Sequence, residues 1–487
     1  MSQIIVTKKN ESFLFVSSDE GIAAEISDYF TFFAPGYQYQ PLFKSGVWDG
    51  KIRLFDRRFS TLPYGLISYL IKFSHDRQYT IMIDESVLLT TNFSISEAED
   101  FSKSLNLPVT PYPHQLEAFT KAIGYKRSLI LSPTSSGKSL LIYLMVRFLQ
   151  QTHKKGIIIV PTTSLVEQLY KDFESYGWNA QENVHKIYAG KEKITKHFVT
   201  ISTWQSLYLQ KPEYLSQFDF VIGDEAHQFK AKSLTQLMSG LVNADVRIGT
   251  TGTLDGTKTH KLVLEGHFGP VFQPTTTRKL MDEGIISPLK IKSLVLKYPE
   301  AFCKEHKSDD YKTEYDAVIS HPARTKFIRN LALSVPGNTL VLFQLVEKHG
   351  EKLYREILSH KKDHQVFYIH GGVDTEYREK IREIVENSTN SIIIASYGTF
   401  STGINIRNLH NVIFAAPSKA RIRNLQSIGR GLRKSKGKDH AVLFDIVDDL
   451  RSGKYINFLL KHFEQRCIIY SEEKLTFKLY HIQLGEE

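Results

Sequence analysis

Short strand-like runs and amphipathic helix-like runs alternate over the first 95 residues. Strands are predicted for IIVT, FLFV and YTIMID, whereas GIAAEISDYFTFF and LPYGLISYLIKFSHD carry apolar residues at helical spacing. The pattern predicts a small α+β module over residues 1–95. An acidic stretch punctuated by proline, FSISEAEDFSKSLNLPVTPYP, then predicts a connector into the rest of the chain.

Beyond the connector, continuous apolar runs such as SLIL, IIIV and FDFVIG are typical of buried strands and are separated by helical patterns. A second connector is expected near Gly284–Pro288. After it, YINFLLKHFEQRCIIYS has helical periodicity and then β-rich residues. We therefore expect a first α/β lobe over residues 96–286, a second over 287–450, and a helix and strand extension of the second lobe over 451–487.

The loop between SLIL and LLIYLMVRFL predicts a nucleotide site, because it reads SPTSSGKS. Backbone N–H groups at a helix N-terminus bind phosphate oxygens, Lys138 adds a positive charge for the β and γ phosphates, and Ser139 offers a hydroxyl to Mg²⁺. The residues expected to hold ATP are Thr134, Ser135, Ser136, Gly137, Lys138 and Ser139. Ser132 stands where the general pattern has its first glycine. The alternative is a Ser/Gly turn that caps a buried helix.

Two carboxylates follow the buried run FDFVIG, at the edge where open α/β sheets bind ligands. Asp224 is expected to hold Mg²⁺, directly or through water. Glu225 is expected to orient and deprotonate the water that attacks the γ-phosphate. An acidic helix cap on an ordinary loop is the alternative.

A basic segment far downstream reads QSIGRGLR and contains Gln426, Arg430 and Arg433. It lies too far along the chain to share a compact sheet with the acidic pair, so a second lobe is expected to carry it. Arginines against a γ-phosphate stabilise the transition state, by about 10³- to 10⁵-fold in rate. If Arg430 and Arg433 reach the nucleotide from that lobe, lobe closure couples to hydrolysis. A solvated basic face is the alternative.

Together these motifs resemble those of superfamily 2 helicases of the DEAH-box kind over residues 110–450. The resemblance implies two RecA-like parallel-sheet lobes in tandem beside the small N-terminal α+β domain, with ATP and Mg²⁺ between the lobes. In this family, the residue at the position of Gln115, in YPHQ, recognises the adenine base. The resemblance also implies that His227 and Gln426 transmit the nucleotide state between lobes, and that the TGT at residues 251–253 links hydrolysis to lobe movement.

Further runs match the nucleic-acid and lobe-interface motifs of this family: IIIVPTTSLVEQ, ISTWQSL, LVLFQLVEKHGEKL, YIHGG and SYGTFSTGIN. The residues they imply as strand contacts are Pro161, Thr162, Thr203, Trp204, Gln205, His370, Gly371, Thr399 and Thr402. Gly403 is implied as a nucleotide contact. Ser135 stands where the family often has glycine, at a modest backbone cost, and Asn405 stands where it has aspartate, which leaves the role of Asn405 open.

The whole arrangement, a short module followed by a motor without large insertions, is similar to phage members of this superfamily. The resemblance implies an ATP-driven enzyme of replication, recombination and repair. Its implied activities are fork regression, junction branch migration and removal of RNA from loops invaded into duplex DNA. The implied partners are branched or single-stranded DNA and an RNA–DNA hybrid. A monomer in the cytoplasm of an infected bacterial host is expected.

Basic and aromatic residues interleave in the second half of the N-terminal module, around GVWDGKIRLFD. Such side chains can grip phosphates and stack on bases, and stacking contributes about 1 to 3 kcal/mol per base. We expect Lys51, Arg53, Arg57 and Arg58 to contact DNA and the module to recognise a branch. The alternative places the aromatic residues in a core beside a solvated basic hairpin, since the module as a whole is slightly acidic.

The formal net charge of +10 fits a polyanionic partner, although ribosomal and membrane-surface proteins are also basic. The two cysteines are too few for a disulfide framework, and no Cys/His cluster predicts a zinc or iron–sulfur site. The sequence has no 18-residue apolar run and no signal-peptide pattern at its start. It therefore predicts an intracellular, reduced protein with no membrane partner.

Three other functions fit the same residues. An RNA-directed helicase would share the motor, and a duplex translocase would move along DNA without separating its strands. The third is a module that anneals or remodels DNA when ATP binds, without needing hydrolysis. The two arginines of QSIGRGLR argue against this last function, because they serve the hydrolysis step.

Overall fold

The computed structural model describes residues 3–87, 90–188, 196–208, 210–229, 231–403, 406–418, 420, 428–429 and 438–485. Only the backbone is described at residues 231, 232, 375 and 401–403. The chain divides into two compact units, one of residues 1–132 and 137–275 and the other of residues 133–136 and 276–487. In the described part of the chain, no helix is long and apolar enough to cross a membrane.

In the N-terminal module, the described residues form six strands and three α-helices. The strands are β1 (Gln3–Lys8), β2 (Phe13–Ser17), β3 (Thr31–Phe33), β4 (Lys51–Arg53), β5 (Thr61–Pro63) and β6 (Thr80–Ile83). The helices are α1 (Glu20–Tyr29), α2 (Pro41–Lys44) and α3 (Ile67–Asp76). Four strands form a mixed sheet in the order β5-β2-β1-β6, and β3 pairs with β4 in a hairpin. Alternation along β1 buries Ile4 and Val6 in one core with α1 and α3, which confirms the predicted α+β module.

The described residues of the first lobe form one parallel sheet of seven strands. They are β7 (Arg127–Leu131), β8 (Gly156–Val160), β9 (Val184–Ile187), β10 (Val199–Thr203), β11 (Phe220–Gly223), β12 (Val246–Thr251) and β13 (Val271–Phe272). The helices are α4 (Ile95–Ser104), α5 (Pro113–Tyr125), α6 (Lys138–Leu149), α7 (Thr163–Ser175), α8 (Ala180–Asn183), α9 (Trp204–Leu207), α10 (Pro212–Leu215), α11 (Ala231–Gly240) and α12 (Lys258–Phe268). The strand order is β13-β7-β12-β11-β8-β10-β9.

Both faces of this first sheet are buried, as its continuous apolar runs predict. Along β8, Ile158 and Val160 join one hydrophobic cluster, whereas Ile157 and Ile159 join the cluster on the opposite face. Because all strands run parallel, their carboxyl ends meet at one edge of the sheet.

The N-terminal module packs closely against the first lobe. Arg127 of β7 pairs with Glu11 at 2.8 Å, and its guanidinium lies 3.9 Å from the centre of the Tyr64 ring. A Cβ atom at Gly65 would lie 1.9 Å from the carbonyl oxygen of Glu265 in α12, so only glycine allows this approach of the two backbones. The module and the first lobe therefore belong to one compact unit.

The second lobe contains another parallel sheet of seven strands. They are β14 (Leu289–Lys297), β15 (Thr339–Phe343), β16 (Gln365–Ile369), β17 (Ser391–Ser396), β18 (Asn411–Phe414), β19 (Ala441–Asp449) and β20 (Phe477–Gln483). The described helices are α13 (Thr277–Asp282), α14 (Glu300–Glu305), α15 (Tyr311–Ser320), α16 (Pro322–Ser334), α17 (Glu351–His360), α18 (Thr375–Glu386), α19 (Tyr397–Gly403) and α20 (Phe458–Glu472), with one π-helical turn at Val346–Gly350.

The strand order of the second sheet is β16-β17-β15-β18-β19-β14-β20. The edge strand β20 comes from the C-terminal extension and pairs in parallel with β14. Two parallel-sheet lobes of the RecA kind and a small α+β region confirm the predicted fold class. The predicted domain boundaries after residues 95, 286 and 450 stay predictions.

Candidate active site

The phosphate loop connects β7 to α6 at the carboxyl edge of the first sheet. The Ser132 N–H donates to the Thr251 carbonyl at 2.8 Å, which holds the start of the loop beside the end of β12. Gly137 precedes α6 with φ 82°, and a Cβ atom there would lie 2.3 Å from the Gln115 side-chain nitrogen. The end of the loop therefore requires glycine for its conformation and for its close contact.

The middle of the phosphate loop is a tight turn. The Ser136 N–H donates to the Pro133 carbonyl at 3.2 Å, and the Ser136 side chain is buried whereas Thr134 is half-buried. Ser135, which replaces the frequent glycine, has φ 72°. The serine thus adopts the left-handed conformation that glycine takes more readily.

Lys138, the first residue of α6, lies between the loop and the acidic pair. Its ammonium nitrogen is 3.3 Å from the Ser132 carbonyl oxygen, to which it donates, and 3.7 Å from Glu225 Oε1. The side chain is largely buried. The fold therefore brings Lys138 and Glu225, which are far apart in the sequence, together at the edge of the sheet.

Asp224 directly follows β11 and is held by two donors. The Thr250 hydroxyl and the Glu225 N–H donate to Asp224 Oδ1 at 2.7 and 2.9 Å. Burial, and after it the neighbouring Glu225 charge, raise the pKa of Asp224 to about 6, while Lys138 opposes the shift. A cation beside this carboxylate would stabilise its ionised form, and carboxylate oxygens are ligands that Mg²⁺ takes.

Glu225 has an unusual backbone conformation, with φ 48° and ψ 45°. A non-glycine residue in this region carries a conformational cost, and such residues cluster at functional sites. The Glu225 carboxylate lies 3.7 Å from Lys138 Nζ and 3.4 Å from His227 Nδ1. The turn thus places an anion between two basic side chains at the mouth of the loop.

His227 links the acidic pair to the TGT segment. Thr251 donates its hydroxyl proton to the Thr253 carbonyl at 2.8 Å, so its oxygen accepts from His227 Nδ1 at 2.7 Å. Burial lowers the pKa of His227 to about 4, although the Glu225 carboxylate opposes this shift. The imidazole is therefore neutral near pH 7 and carries its proton on Nδ1.

Gln115 ties the start of α5 to the phosphate loop. Its side-chain nitrogen donates to the Gly137 carbonyl at 2.9 Å, and its side-chain oxygen accepts from the Tyr112 N–H at 2.7 Å. The Tyr112 ring is exposed and stacks on His114 with centroids 5.6 Å apart. An adenine contact by Gln115 stays a prediction, and the exposed Tyr112 ring offers a stacking surface next to it.

Ser139 contacts a residue that the sequence patterns did not single out. Its hydroxyl lies 2.9 Å from the Tyr176 hydroxyl, just after the end of α7. The Tyr176 ring is 5.2 Å from the Tyr143 ring, whose hydroxyl accepts from Arg147 at 2.6 Å. No motif could reveal this contact, because it depends on where α7 ends relative to α6.

The two runs of the first lobe that are predicted to contact nucleic acid lie side by side, at the carboxyl ends of the neighbouring β-strands β8 and β10. The Gln205 side chain donates to the Pro161 carbonyl at 3.3 Å and so joins the two runs. Thr162 caps α7, whereas Thr203 is buried and immediately precedes α9, which begins at Trp204. The structure brings all five predicted residues together, and their contacts with a nucleic-acid strand stay predictions.

In the second lobe, the described residues that are predicted to contact nucleic acid follow the carboxyl ends of the β-strands β16 and β17. His370 Nδ1 accepts from the Gly372 N–H at 3.2 Å, and Arg378 donates to the Gly371 carbonyl at 3.0 Å. Thr399 is buried, with its hydroxyl 2.8 Å from that of Ser396. Thr402 and Gly403 belong to α19, where only the backbone is described. The candidates that lie outside the described residues are Asn405, Gln426, Arg430 and Arg433.

Three family models match separate parts of the chain. The model described as DNA helicase UvsW, N-terminal, matches residues 3–84. Type III restriction enzyme, res subunit, matches residues 108–256, and Helicase conserved C-terminal domain matches residues 323–435. The second and third matches cover the acidic pair and the QSIGRGLR segment, respectively.

One relative covers nearly the whole chain. The ATP-dependent DNA helicase uvsW of Enterobacteria phage T4 is 34% identical over 492 residues, which are 96% of this chain and 97% of the phage protein. The crystal structure of T4 UvsW is 32% identical, covers 99% of this chain and 100% of that chain, and has a TM-score of 0.53. This chain belongs to the UvsW helicase family. It is an ATP-hydrolysing helicase, and the resemblance to superfamily 2 helicases is confirmed.

A more distant relative is similar to a shorter part of the chain. The DNA 3′-5′ translocase XPB2 of Sulfurisphaera tokodaii is 22% identical over 369 residues, which are 69% of this chain and 80% of that protein. This match is shorter than that to UvsW, which extends over the N-terminal module as well.

The basic residues predicted to contact DNA lie within the UvsW N-terminal match. Arg53 forms an exposed ion pair with Asp49, whereas Lys51 lies 5.4 Å from the centre of the Phe33 ring. Arg57 and Arg58 are exposed. Among the interleaved aromatic residues, Phe55 belongs to the core and Phe59 is exposed, and a contact of this surface with DNA stays a prediction. The aromatic residues interleaved with these basic ones are Tyr37, Tyr39, Phe43, Trp48, Phe55 and Phe59.

Proposed function

We propose that this UvsW-family protein is a DNA helicase of the DEAH-box kind that remodels branched DNA. Fork regression, junction branch migration and R-loop unwinding in the infected host cell are the activities proposed. The observation that supports this most directly is the N-terminal module, which carries exposed basic and aromatic residues and packs on the lobe that binds ATP. Similarity to the ATP-dependent DNA helicase uvsW of phage T4 over the whole length, rather than over the motor alone, supports DNA as the substrate.

The proposed chemistry places ATP on the phosphate loop. Backbone N–H groups of the loop and the Lys138 ammonium bind the β and γ phosphates. Glu225 accepts the proton of the attacking water, because its carboxylate stands beside Lys138 at the mouth of the loop. Bound Mg²⁺ would neutralise phosphate charge, and Ser139 and Asp224 are the residues that would hold it.

Arg430 and Arg433 of the QSIGRGLR motif would stabilise the γ-phosphate charge, and Gln426 would transmit the nucleotide state between the lobes. His227 provides the corresponding link in the first lobe through its bond to Thr251. Closure on ATP and reopening after hydrolysis would alternate the grip of the two lobes on one DNA strand.

Tyr176 positions the Ser139 hydroxyl in this scheme. If Ser139 donates its proton to the Tyr176 oxygen, its lone pairs remain available for Mg²⁺. We expect Tyr176→Phe to raise the Mg²⁺ concentration for half-maximal ATP hydrolysis about 10-fold, with little change in the maximal rate. Titration of Mg²⁺ at saturating ATP measures both values. An unchanged Mg²⁺ requirement would show that the tyrosine hydroxyl has no part in the site.

A substrate panel tests the proposed function. Stimulation of ATP hydrolysis and strand separation are measured on a DNA fork, a four-way junction, an RNA-invaded duplex, plain duplex DNA and single-stranded RNA. We expect the branched DNA substrates and the RNA-invaded duplex to be both the best activators and the substrates that are converted. Stronger activation by single-stranded RNA than by branched DNA would instead indicate an RNA-directed helicase.

A second function, translocation on duplex DNA without strand separation, is favoured by two of the matches. The first-lobe family model comes from restriction enzymes, and XPB2 bears the name of a DNA translocase. Displacement of a third strand from a triplex, without unwinding of any branched substrate, would establish this second function in place of the first.

A further inference from the structure

The segment that connects β3 to β4 is a compact aromatic unit, here called the hairpin insert (residues 34–50). Tyr37 stacks on Phe33 with ring centroids 4.6 Å apart and meets the edge of Phe43 at 4.8 Å. A Cβ atom at Gly50, where φ is 78°, would lie 2.4 Å from the Tyr37 ring. The insert is therefore held in shape by its own side chains and requires a glycine where they meet.

The base of the hairpin insert is fixed to the first lobe. The Ala34 N–H donates to the Gly50 carbonyl at 2.8 Å and closes the insert. At the start of α12, the Thr259 hydroxyl donates to the Phe33 carbonyl at 3.5 Å, and Lys258 Nζ lies 5.1 Å from the centre of the Phe32 ring. Because α12 is the helix that follows the TGT segment, the hairpin is anchored to an element next to the ATP site.

The tip of the hairpin insert presents apolar side chains to solvent. Tyr39, Leu42 and Val47 are 80%, 57% and 75% exposed, which is unusual for three large apolar residues in one short segment. The basic side chains that accompany them on the insert and the following strand and turn are Lys44, Lys51, Arg53, Arg57 and Arg58. Exposed apolar side chains with basic residues close to them in the sequence complement a nucleic acid, in which flat base faces lie between phosphates.

We propose that Tyr39, Leu42 and Val47 form a wedge that packs against the terminal base pair at a DNA branch point. This inference rests on the proposed function and adds the residues that would meet the branch. Because its own side chains hold the insert in shape, the wedge would keep its position while the helicase moves along the DNA. The basic side chains would hold the flanking phosphates, and the tip would compete with base stacking.

The test uses the full-length protein and a DNA fork with 2-aminopurine at the branch point. We expect the Tyr39→Ala, Leu42→Ala, Val47→Ala triple variant to unwind the fork about 10-fold more slowly than the wild type. It should also lose the fluorescence increase that wild-type protein causes on binding without ATP. ATP hydrolysis stimulated by single-stranded DNA should stay close to the wild-type rate, since that DNA has no branch.

An Ile5→Ala, Met82→Ala variant is the matched control, because these residues are 42% and 55% exposed on the sheet of the same module. It should behave as the wild type. Normal fork unwinding by the triple variant would overturn the wedge, and so would an equal loss of ATP hydrolysis on single-stranded DNA. If wild-type protein neither unwinds the fork nor raises its fluorescence, the proposed function and the wedge fail together. Wild-type activity with an unaffected triple variant overturns the wedge alone.

Discussion

Replacement of Glu225 by glutamine is expected to lower ATP turnover by about 10²- to 10⁴-fold while ATP stays bound. Glutamine keeps the size of the side chain but cannot accept a proton from the attacking water. The phosphate loop and Lys138 are unchanged, so the binding groups remain. Single-turnover hydrolysis and equilibrium binding of ATP, measured on the same preparation, separate the two effects.

A glutamate on the surface of the same lobe controls for the loss of one negative charge. Glu174 lies exposed on α7, and Glu174→Gln should hydrolyse ATP at the wild-type rate. A Glu225→Gln protein that turns over ATP within a few-fold of wild type would reassign the general base. Loss of ATP binding together with turnover would instead indicate that Glu225 is needed to build the loop.

Replacement of Asp448 by alanine is expected to lower the free energy of unfolding of the second lobe by about 3 to 5 kcal/mol. Arg324 donates to Asp448 at 2.7 and 3.0 Å, and the Tyr298 hydroxyl donates to it at 2.8 Å. Both members of the ion pair are fully buried. The variant therefore leaves an uncompensated guanidinium inside the lobe.

Hydrogen exchange of β19 peptides in a urea series measures the loss in the second lobe. All three tryptophans, Trp48, Trp178 and Trp204, precede that lobe, so their fluorescence reports the other unit as an internal reference. Glu300→Ala, which breaks an ion pair with Lys304 in which the two side chains are 81% and 66% exposed, should lower the free energy of unfolding only slightly. A similarly small cost for Asp448→Ala would contradict the expected role of the buried pair.

Local patterns were sufficient to predict the elements around the ATP site. The run before Asp224 is apolar on both faces, as a central parallel strand must be, and the GKS sequence requires the turn that ends at Gly137. The run IIVT likewise predicted a strand, and it lies within β1 of the N-terminal module. These features depend on neighbours in sequence, and sequence therefore reveals them.

Contacts between distant segments could not be predicted in this way. Thr250 holds Asp224 because β12 lies beside β11, and Tyr176 reaches Ser139 because of the point at which α7 ends. The strand order and the packing of helices decide both contacts. A strand in residues 451–487 was predicted, but the pairing of β20 with β14 was not, because this pairing joins the two ends of the second lobe.

The most direct measurement of the central claim follows a synthetic replication fork in which regression yields a labelled duplex of the two nascent strands. The claim is that ATP hydrolysis at Lys138, Asp224 and Glu225 drives the remodelling of branched DNA. Wild-type protein with ATP is expected to produce the labelled duplex, whereas Glu225→Gln at saturating ATP should bind the fork and leave it unchanged. Regression by Glu225→Gln at the wild-type rate, without hydrolysis, would contradict the claim and indicate a protein that anneals DNA when ATP binds.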